Sequence, residues 1–557
     1  MKTKISPQKR LKAYLISEKQ AIWMIVVYGA FTGLFSLIVP IAVQSLVNTI
    51  SFGSVLQPLF VLTLIVFVIL SFSGIMGILQ NIAVEVLQQR IFARISTELA
   101  YRLPRVQVQS YDEKNITELV NRFFDVLVAQ KSAAVLLVDG IAVILQTAVG
   151  MALLAFYHPL LLAFDLLLLL GLYLIFVQFG RNGVSTSIHE SHKKYAMAAW
   201  LEDLAKNPIT FRSKHGNSFA LEKADELATD YVKARKAHFR VLLRQIIGAV
   251  SIQTGASALL LGLGGWLVIQ RQLTLGQLVA SELVVSAVTT GFSKFGKYLE
   301  TYYDLTAAAD KLGYLYDLPI EKDEGEPFPQ WREVPVLEFK NVSYSGSQQK
   351  VTLSGLQFTL KAGEKVALTS QASKALSWIS EMAFGLRGPT EGQVQINGVD
   401  LREIRLEDLR SQISLVRSIE FFHGTILENI RLQREDLDLV QIRDVLEQLG
   451  LLEELSNLPD GLNTTLIHDQ SSLSVSQAYR LMLARALVGN PRLVILDQTL
   501  DYLDPESLKK VNRTLFHPKA PYSVLVITHS AEVMARCSSV YTLNEEGTLT
   551  RHKKTEL

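Results

Sequence analysis

The sequence predicts a membrane α-helical half with six spans, followed by a C-terminal α/β domain. Two observations carry that division. In the first half, apolar runs reach the ~20 residues that cross a bilayer as a helix. In the second half, short apolar runs alternate with helical periodicity between turn residues, the pattern of an α/β domain. Composition agrees: of 557 residues, 49% are hydrophobic and 19% charged, a shift toward membrane proteins. A formal net charge of +2 argues against bulk nucleic-acid binding. The single cysteine, Cys537, cannot form an intrachain disulfide. Its place in the C-terminal domain suggests a reducing, cytosolic side and an inert packing thiol.

The first twenty residues carry Lys2, Lys4, Lys9, Arg10, Lys12 and Lys19. The apolar stretch that follows is too long for a cleavable signal, so residues 1–20 read as a cytosolic entry segment. Spanning runs fall at 21–49, 57–85, 133–157, 159–180, 242–270 and 275–300, the last being the least apolar, with Glu282, Lys294 and Lys297. The connectors near 50–56 and 155–159 are short and lack Lys and Arg. Those at 86–132 and 181–241 are long and basic, with Arg90, Arg94, Arg102, Arg105, Lys193 and Lys194. The positive-inside rule places the basic connectors and both termini in the cytosol. The long connectors keep helical periodicity over Val84–Leu103 and Leu221–Leu243 and break at Pro104 and Pro208. Helices should therefore run well past the membrane and turn back, with tips around Asp112–Leu119 and Pro208–Asn217. Charged residues within spans are costly and face a cavity or a partner. Asp139, Asp165 and Glu282 are the candidates, each near enough to a helix end for water to reach it, and Asp165 is the one carried forward as a substrate-contact candidate.

Residues 318–335, which include the polar, Pro-containing stretch Glu321–Pro335, read as a linker between a membrane domain (21–317) and the α/β domain (336–557). The α/β domain opens with an alternating strand, Val336–Tyr344, and an apolar strand, Gly363–Leu368. Further on, Leu493–Leu496 is an apolar run ending in Asp497, the way a buried parallel strand delivers a carboxylate to a Mg²⁺ at its C-terminal end.

That strand, with the preceding Leu473-Ser474-Val475-Ser476-Gln477 and the helix after it, resembles the signature helix and Walker B strand of ATP-binding cassette (ABC) transporters. The family pattern reads L-S-G-G-Q-x-x-R-x-x-x-A-R-A-L, then P-x-x and an apolar run ending D-E, then L-D. Leu473, Ser474, Gln477, Arg480, Ala484, Arg485, Ala486, Leu487, Pro491, Asp497, Leu503 and Asp504 match it without a gap. Val475 and Ser476 stand in place of the two glycines, and Gln498 in place of the glutamate. The resemblance extends over the whole chain: six spans with long cytosolic arms whose tips dock on the cassette are the layout of exporter half-transporters.

The resemblance implies a P-loop after Leu368, whose backbone amides and lysine hold phosphates. The family runs seventeen residues from its first P-loop glycine through the closing Gly-Leu, and Ser370–Leu386 is also seventeen. In that register Ser370, Ser373 and Ala375 replace the glycines and Leu376 replaces the lysine. Ser377 keeps the Mg²⁺-binding hydroxyl, Trp378 adds bulk, and Lys374 becomes a loop residue. The adenine-stacking position falls at Gly346, with Tyr344 a strand residue. The glutamine that senses Mg²⁺ falls at Ser418, or at Arg417 when counted back from Phe422–Ile430. The switch histidine is His529, after the apolar strand Val524–Ile527.

Read together, these residues imply an ABC-type ATPase whose own site is impaired, with ATP and Mg²⁺ as the family's ligands. Asp497 and Ser377 are the Mg²⁺ positions, Gln498 and His529 the catalytic positions, Ser474 and Gln477 the signature contacts, and Asp504 the D-loop acid. Gln498 can orient a water but cannot take a proton, and side chains at 370, 373 and 375 restrict the φ > 0 geometry open to glycine. The expected function is a degenerate half of an exporter in a lipid bilayer, a bacterial inner membrane, working as a dimer. The dimer is either a homodimer or a heterodimer with an ATPase-competent half. An ATP-independent channel, scaffold or regulator, and an ordinary ATP-driven homodimeric exporter, are the alternatives. The substrate is not legible in the spans.

Overall fold

The computed structural model describes residues 18–51, 56–113, 120–321, 325–346, 352–370, 373–434, 437–467 and 473–552, and also leaves the side chains of residues 51, 56, 113, 290, 292, 293, 295, 373 and 374 undescribed. The basic entry segment before Glu18, most of the expected tip at 112–119, and the side chains of Ser373 and Lys374 lie outside the described residues. The chain divides into two compact units. One comprises residues 1–106 and 113–319, the other 107–112 and 320–557.

The first unit is helical. Its long helices are α1 (Lys19–Phe35), α2 (Ile38–Ser51), α3 (Leu56–Arg102), α4 (Asp125–Val135), α5 (Ile141–Tyr157), α6 (Pro159–Tyr173), α7 (Gly183–Lys206), α8 (Lys214–Ile269), α9 (Leu275–Ser293) and α10 (Phe295–Tyr316). Among the described residues, five stretches are long and apolar enough to cross a membrane: 19–50, 57–105, 121–157, 159–179 and 214–269. The sixth expected span is shorter. Its apolar part covers Leu275–Thr289, and the helix breaks at Lys294 before α10. None of the apolar window within 57–105 is buried inside the chain, so its Phe60, Leu64 and Phe67 side chains face outward, as lipid-facing residues do.

At 1.5 Å per residue, the 56 residues of α8 extend about 84 Å, well beyond the hydrocarbon thickness. The expected overrun is therefore present. The breaks fall where proline placed them: a 3₁₀ turn spans Leu103–Arg105, and another spans Thr210–Arg212 after Pro208. Ser213 then starts α8, its hydroxyl accepting from the Gly216 amide. The expected single span 21–49 is two helices, interrupted at Ser36–Leu37, where the Ser36 hydroxyl donates to the Gly33 carbonyl.

Asp165 requires a correction. It was expected to reach water near its helix end, but it is only 3% exposed, beside buried Leu161, Phe164 and Leu168 on the inner face of α6. Neither carboxylate oxygen has a hydrogen-bond partner among the described residues. The i, i+3, i+4 spacing that turns those apolar side chains inward turns Asp165 inward with them.

The second unit carries two main sheets. The strands are β1 (Leu337–Ser345), β2 (Thr352–Leu360), β3 (Lys365–Thr369), β4 (Glu391–Ile396), β5 (Val399–Asp400), β6 (Ile413–Val416), β7 (Gly424–Thr425), β8 (Thr465–Leu466), β9 (Leu493–Asp497), β10 (Ser523–Ile527), β11 (Ser539–Leu543) and β12 (Leu549–His552). An antiparallel sheet has the order β2-β1-β4-β5, and a six-stranded sheet has the order β12-β11-β3-β10-β9-β6. In the second sheet β11, β3, β10, β9 and β6 run parallel, with only β12 antiparallel. β9 and β10 are buried along their whole length, which explains why they read as unbroken apolar runs.

Candidate functional site

Parallel pairing brings the sequence candidates to one edge of the sheet. Ile527 at the end of β10 lies opposite Leu368 of β3 on one side and Asp497 of β9 on the other. The segments following these strands therefore leave the same carboxyl edge, where open α/β sheets bind ligands. They carry Ser370, Gln498 and His529. Helix α11 (Ser373–Ala383) starts three residues after Ser370, where the described part of the β3 loop ends, and packs on β9.

Asp497 is buried at this edge and accepts from the Ser380 hydroxyl at 3.1 Å. Burial raises its pKa, opposed by hydrogen bonds from Ser377 and Ser380 and by the charge of Arg417. A carboxyl raised in the folded state binds more protons folded than unfolded, so its contribution favours folding at low pH and falls as pH rises through the raised value. Ionisation of the buried carboxyl therefore costs stability as pH rises. Asp497→Asn is expected to raise the urea midpoint of the chain at pH 7 without nucleotide, and a lowered midpoint would contradict this.

The residues of the P-loop register are placed as follows. Ser370 is buried, its hydroxyl donating to the Leu543 carbonyl at 3.0 Å. Ala375 and Leu376 are both 0% exposed and belong to an apolar cluster with Trp378, Ile379, Val366 and Leu368. Ser377 is half-buried and hydrogen-bonded to Asp497. Tyr344 is a β1 residue whose ring meets Trp378 edge-on at 4.9 Å and whose hydroxyl accepts from Arg387.

Gln498 has a left-handed backbone, φ 56°, and its amide donates to the Ile527 carbonyl at 2.9 Å. The following Thr499 is buried and donates to the Val416 carbonyl at 2.7 Å. His529 is exposed, and its amide donates to Asp501 at 2.9 Å. Asp501 also accepts from Thr528, so it pins the end of β10 to the turn after β9. Sequence reasoning missed this residue, whose position three after Gln498 was the available signal.

The signature residues lie at the start of helix α12 (Val475–Val488). Ser474 caps it: its hydroxyl accepts from the Gln477 amide at 3.2 Å, and the Gln477 side-chain oxygen accepts from the Ser474 amide at 2.8 Å. This capping box follows from the S-x-x-Q spacing alone. The amide end of Gln477 donates to Glu454, which also takes both ends of the Arg480 fork. Ser476 donates to Asp504 at 2.6 Å, and Asp504 caps the helix Pro505–Leu515. Hydrogen bonds from Ser476 and Ser507 hold the Asp504 carboxyl well below the usual range. Arg417, in the loop after β6, pairs with Glu381, while Ser418 donates to Glu420 at 2.7 Å.

Residues 353–501 match the ABC transporter family. Over 279 residues the chain is 27% identical to the ATP-dependent lipid A-core flippase of Francisella tularensis, covering 49% of this chain and 45% of the flippase. The chain thus spans less than half the length of that relative. Two others align almost throughout: YfiC of Bacillus subtilis, an uncharacterized ABC transporter ATP-binding protein, at 21% identity over 96% of this chain and 89% of YfiC; and the exotoxin translocation ATP-binding protein PaxB of Pasteurella aerogenes, at 22% over 96% and 75%. The structure of a bacterial Atm1-family ABC exporter with ATP bound superimposes with a TM-score of 0.78 at 19% identity, covering 99% of this chain and 96% of that one. The fold is therefore that of an ABC exporter half-transporter. It comprises a helical membrane domain and an ABC cassette, as in the Atm1-family exporter fold.

Proposed function

We propose that the chain is one half of a dimeric exporter in a bacterial inner membrane, with its own nucleotide site impaired and an ATPase-competent chain as partner. The observation that carries this reading is Leu376. It stands at the lysine position of the P-loop register, and its side chain is wholly buried, in the apolar cluster that also holds Val366, Leu368, Trp378 and Ile379. An aliphatic group there supplies no charge to β- and γ-phosphates, which depend on lysine and Mg²⁺ for neutralisation. Ala375 beside it and Ser370 at the loop entry place Cβ atoms where the family bends glycine around phosphate. ATP with Mg²⁺ fits Asp497 and Ser377 but not the residues that would flank them. No hydrolytic step is therefore assigned to this chain. Ser474 and Gln477 remain for a partner's nucleotide, although both are engaged in the capping box here.

The names of the relatives, a lipid A-core flippase and an exotoxin translocation protein, point to two unlike cargoes, so the proposal stops at outward transport. The test is phosphate release by the chain alone, reconstituted in lipid, beside its Gln498→Glu variant. Both are expected to show no Mg²⁺-dependent turnover, because the defect lies at position 376 as well as 498. Turnover on the order of 1 s⁻¹ in Gln498→Glu, an ordinary enzymatic rate, would restore the homodimeric, self-powered exporter.

A further inference from the structure

A group of four charges beside the carboxyl edge of the sheet, buried at Arg387 and Glu381 and half-exposed at its ends, has no part in the function proposed above. Glu381 lies on α11 one turn beyond Ser377, on the same helix face. One of its oxygens accepts from Arg387 Nε at 2.5 Å, and the other accepts from Arg417. Arg387 is 2% exposed by its side chain, and it is aimed by the end of α11. There Gly385, with φ 72°, lets Leu386 N donate to the Glu381 carbonyl at 2.8 Å while its own amide donates to Met382 at 3.0 Å. A Cβ at Gly385 would come within 2.8 Å of Leu406. The remaining ends of the Arg387 fork donate to Asp112 at 2.9 Å and to the Tyr344 hydroxyl.

Two carboxylates and two guanidiniums therefore form a charge-balanced chain, Asp112–Arg387–Glu381–Arg417. Balance and multiple hydrogen bonds are what make the burial of its central pair, Arg387 and Glu381, tolerable. Its two ends have different neighbours. Asp112 belongs to the segment 107–112, which groups with the cassette although both flanking stretches of chain belong to the helical unit. Arg417 directly follows Val416, the residue of β6 opposite Leu496 of β9, and so sits at the edge that carries Asp497. Its charge also bears on Asp497.

We propose that Glu381 is a positioning residue that ties the 107–112 segment to the loop after β6, so that the two are held together by the protein's own charges rather than by a bound nucleotide. The proposal rests on the impaired-site reading only for its last clause. A carboxylate shared by two arginines holds both of them without any ligand.

Hydrogen exchange on the full chain in lipid nanodiscs tests it, with and without Mg²⁺–ATP. The reporters are the amides of Ser110 and Tyr111, which donate to the carbonyls of Gln107 and Val108. In the unaltered chain their exchange is expected to be the same with and without Mg²⁺–ATP. In Glu381→Gln it should accelerate by about tenfold or more, given the usual loss on breaking a buried pair, while β9 and β10 stay protected. In Arg417→Gln, on the far side of Glu381 from Asp112, it should accelerate by about threefold. Unchanged exchange at Ser110 and Tyr111 in both variants overturns the tie. Should Glu381→Gln open β9 and β10 as well, Arg417→Gln decides alone, since that variant leaves Glu381 its bond to Arg387. A response of the unaltered chain to Mg²⁺–ATP would instead sink the impaired-site reading, leaving the tie to stand or fall on the two variants.

Discussion

Leu376→Ala is expected to destabilise the cassette by about 2–5 kcal/mol, the usual range for truncating a fully enclosed leucine. The side chain is fully buried in the apolar cluster that includes Val366, Leu368, Trp378 and Ile379. Truncation removes its transfer free energy and leaves a cavity that a β3–α11 interface cannot easily close. Native-state hydrogen exchange of the β3 amides reads the loss directly. The same change in a chain whose position 376 faced a phosphate would alter nucleotide affinity and leave stability within about 0.5 kcal/mol, the range of exposed sites. That result would remove the structural basis for the impaired site.

Arg387→Met should have an effect of similar size, about 3–5 kcal/mol, for a different reason. Arg387 and Glu381 are both almost fully buried, and Met fills much of the volume without replacing any of the three side-chain hydrogen bonds. Glu381 would retain Arg417 alone, with the Tyr344 hydroxyl and Asp112 unpaired. Double-mutant cycles with Glu381→Gln should show strong coupling, because once the carboxylate is neutral the loss of Arg387 matters less. Additive effects would mean that the two groups act independently.

The parts of the fold legible in the sequence were those with a period or a length. Runs of twenty apolar residues became the membrane-length helices, and Pro104 and Pro208 stood at the breaks of the long arms. The Leu493–Asp497 run became a strand with its acid at the carboxyl edge, and the S-x-x-Q spacing at Ser474 became a capping box. What escaped has no local pattern. Asp112, Glu381, Arg387 and Arg417 come from four places along the chain, and only the folded cassette brings their charges together. The resemblance puts a docking tip at Asp112–Leu119, whereas the segment that groups with the cassette is 107–112, and nothing in its own sequence marks that boundary. Asp165 shows the opposite failure. Distance from the helix end suggested access to water, whereas its angular position on α6 turns it inward. The interruption of the first span at Ser36–Leu37 lies within an apolar stretch that periodicity alone reads as continuous.

The central claim is that this cassette does not take up nucleotide at its own P-loop position. Equilibrium binding of a fluorescent ATP analogue with Mg²⁺ to the purified chain, beside a Lys374→Ala variant, tests it most directly. The account predicts no saturable binding below millimolar concentration for either protein, a limit of about −4 kcal/mol. Micromolar binding that disappears in Lys374→Ala would contradict it, since Lys374 would then supply the charge that Leu376 lacks, and the chain would be a nucleotide-gated transporter in its own right.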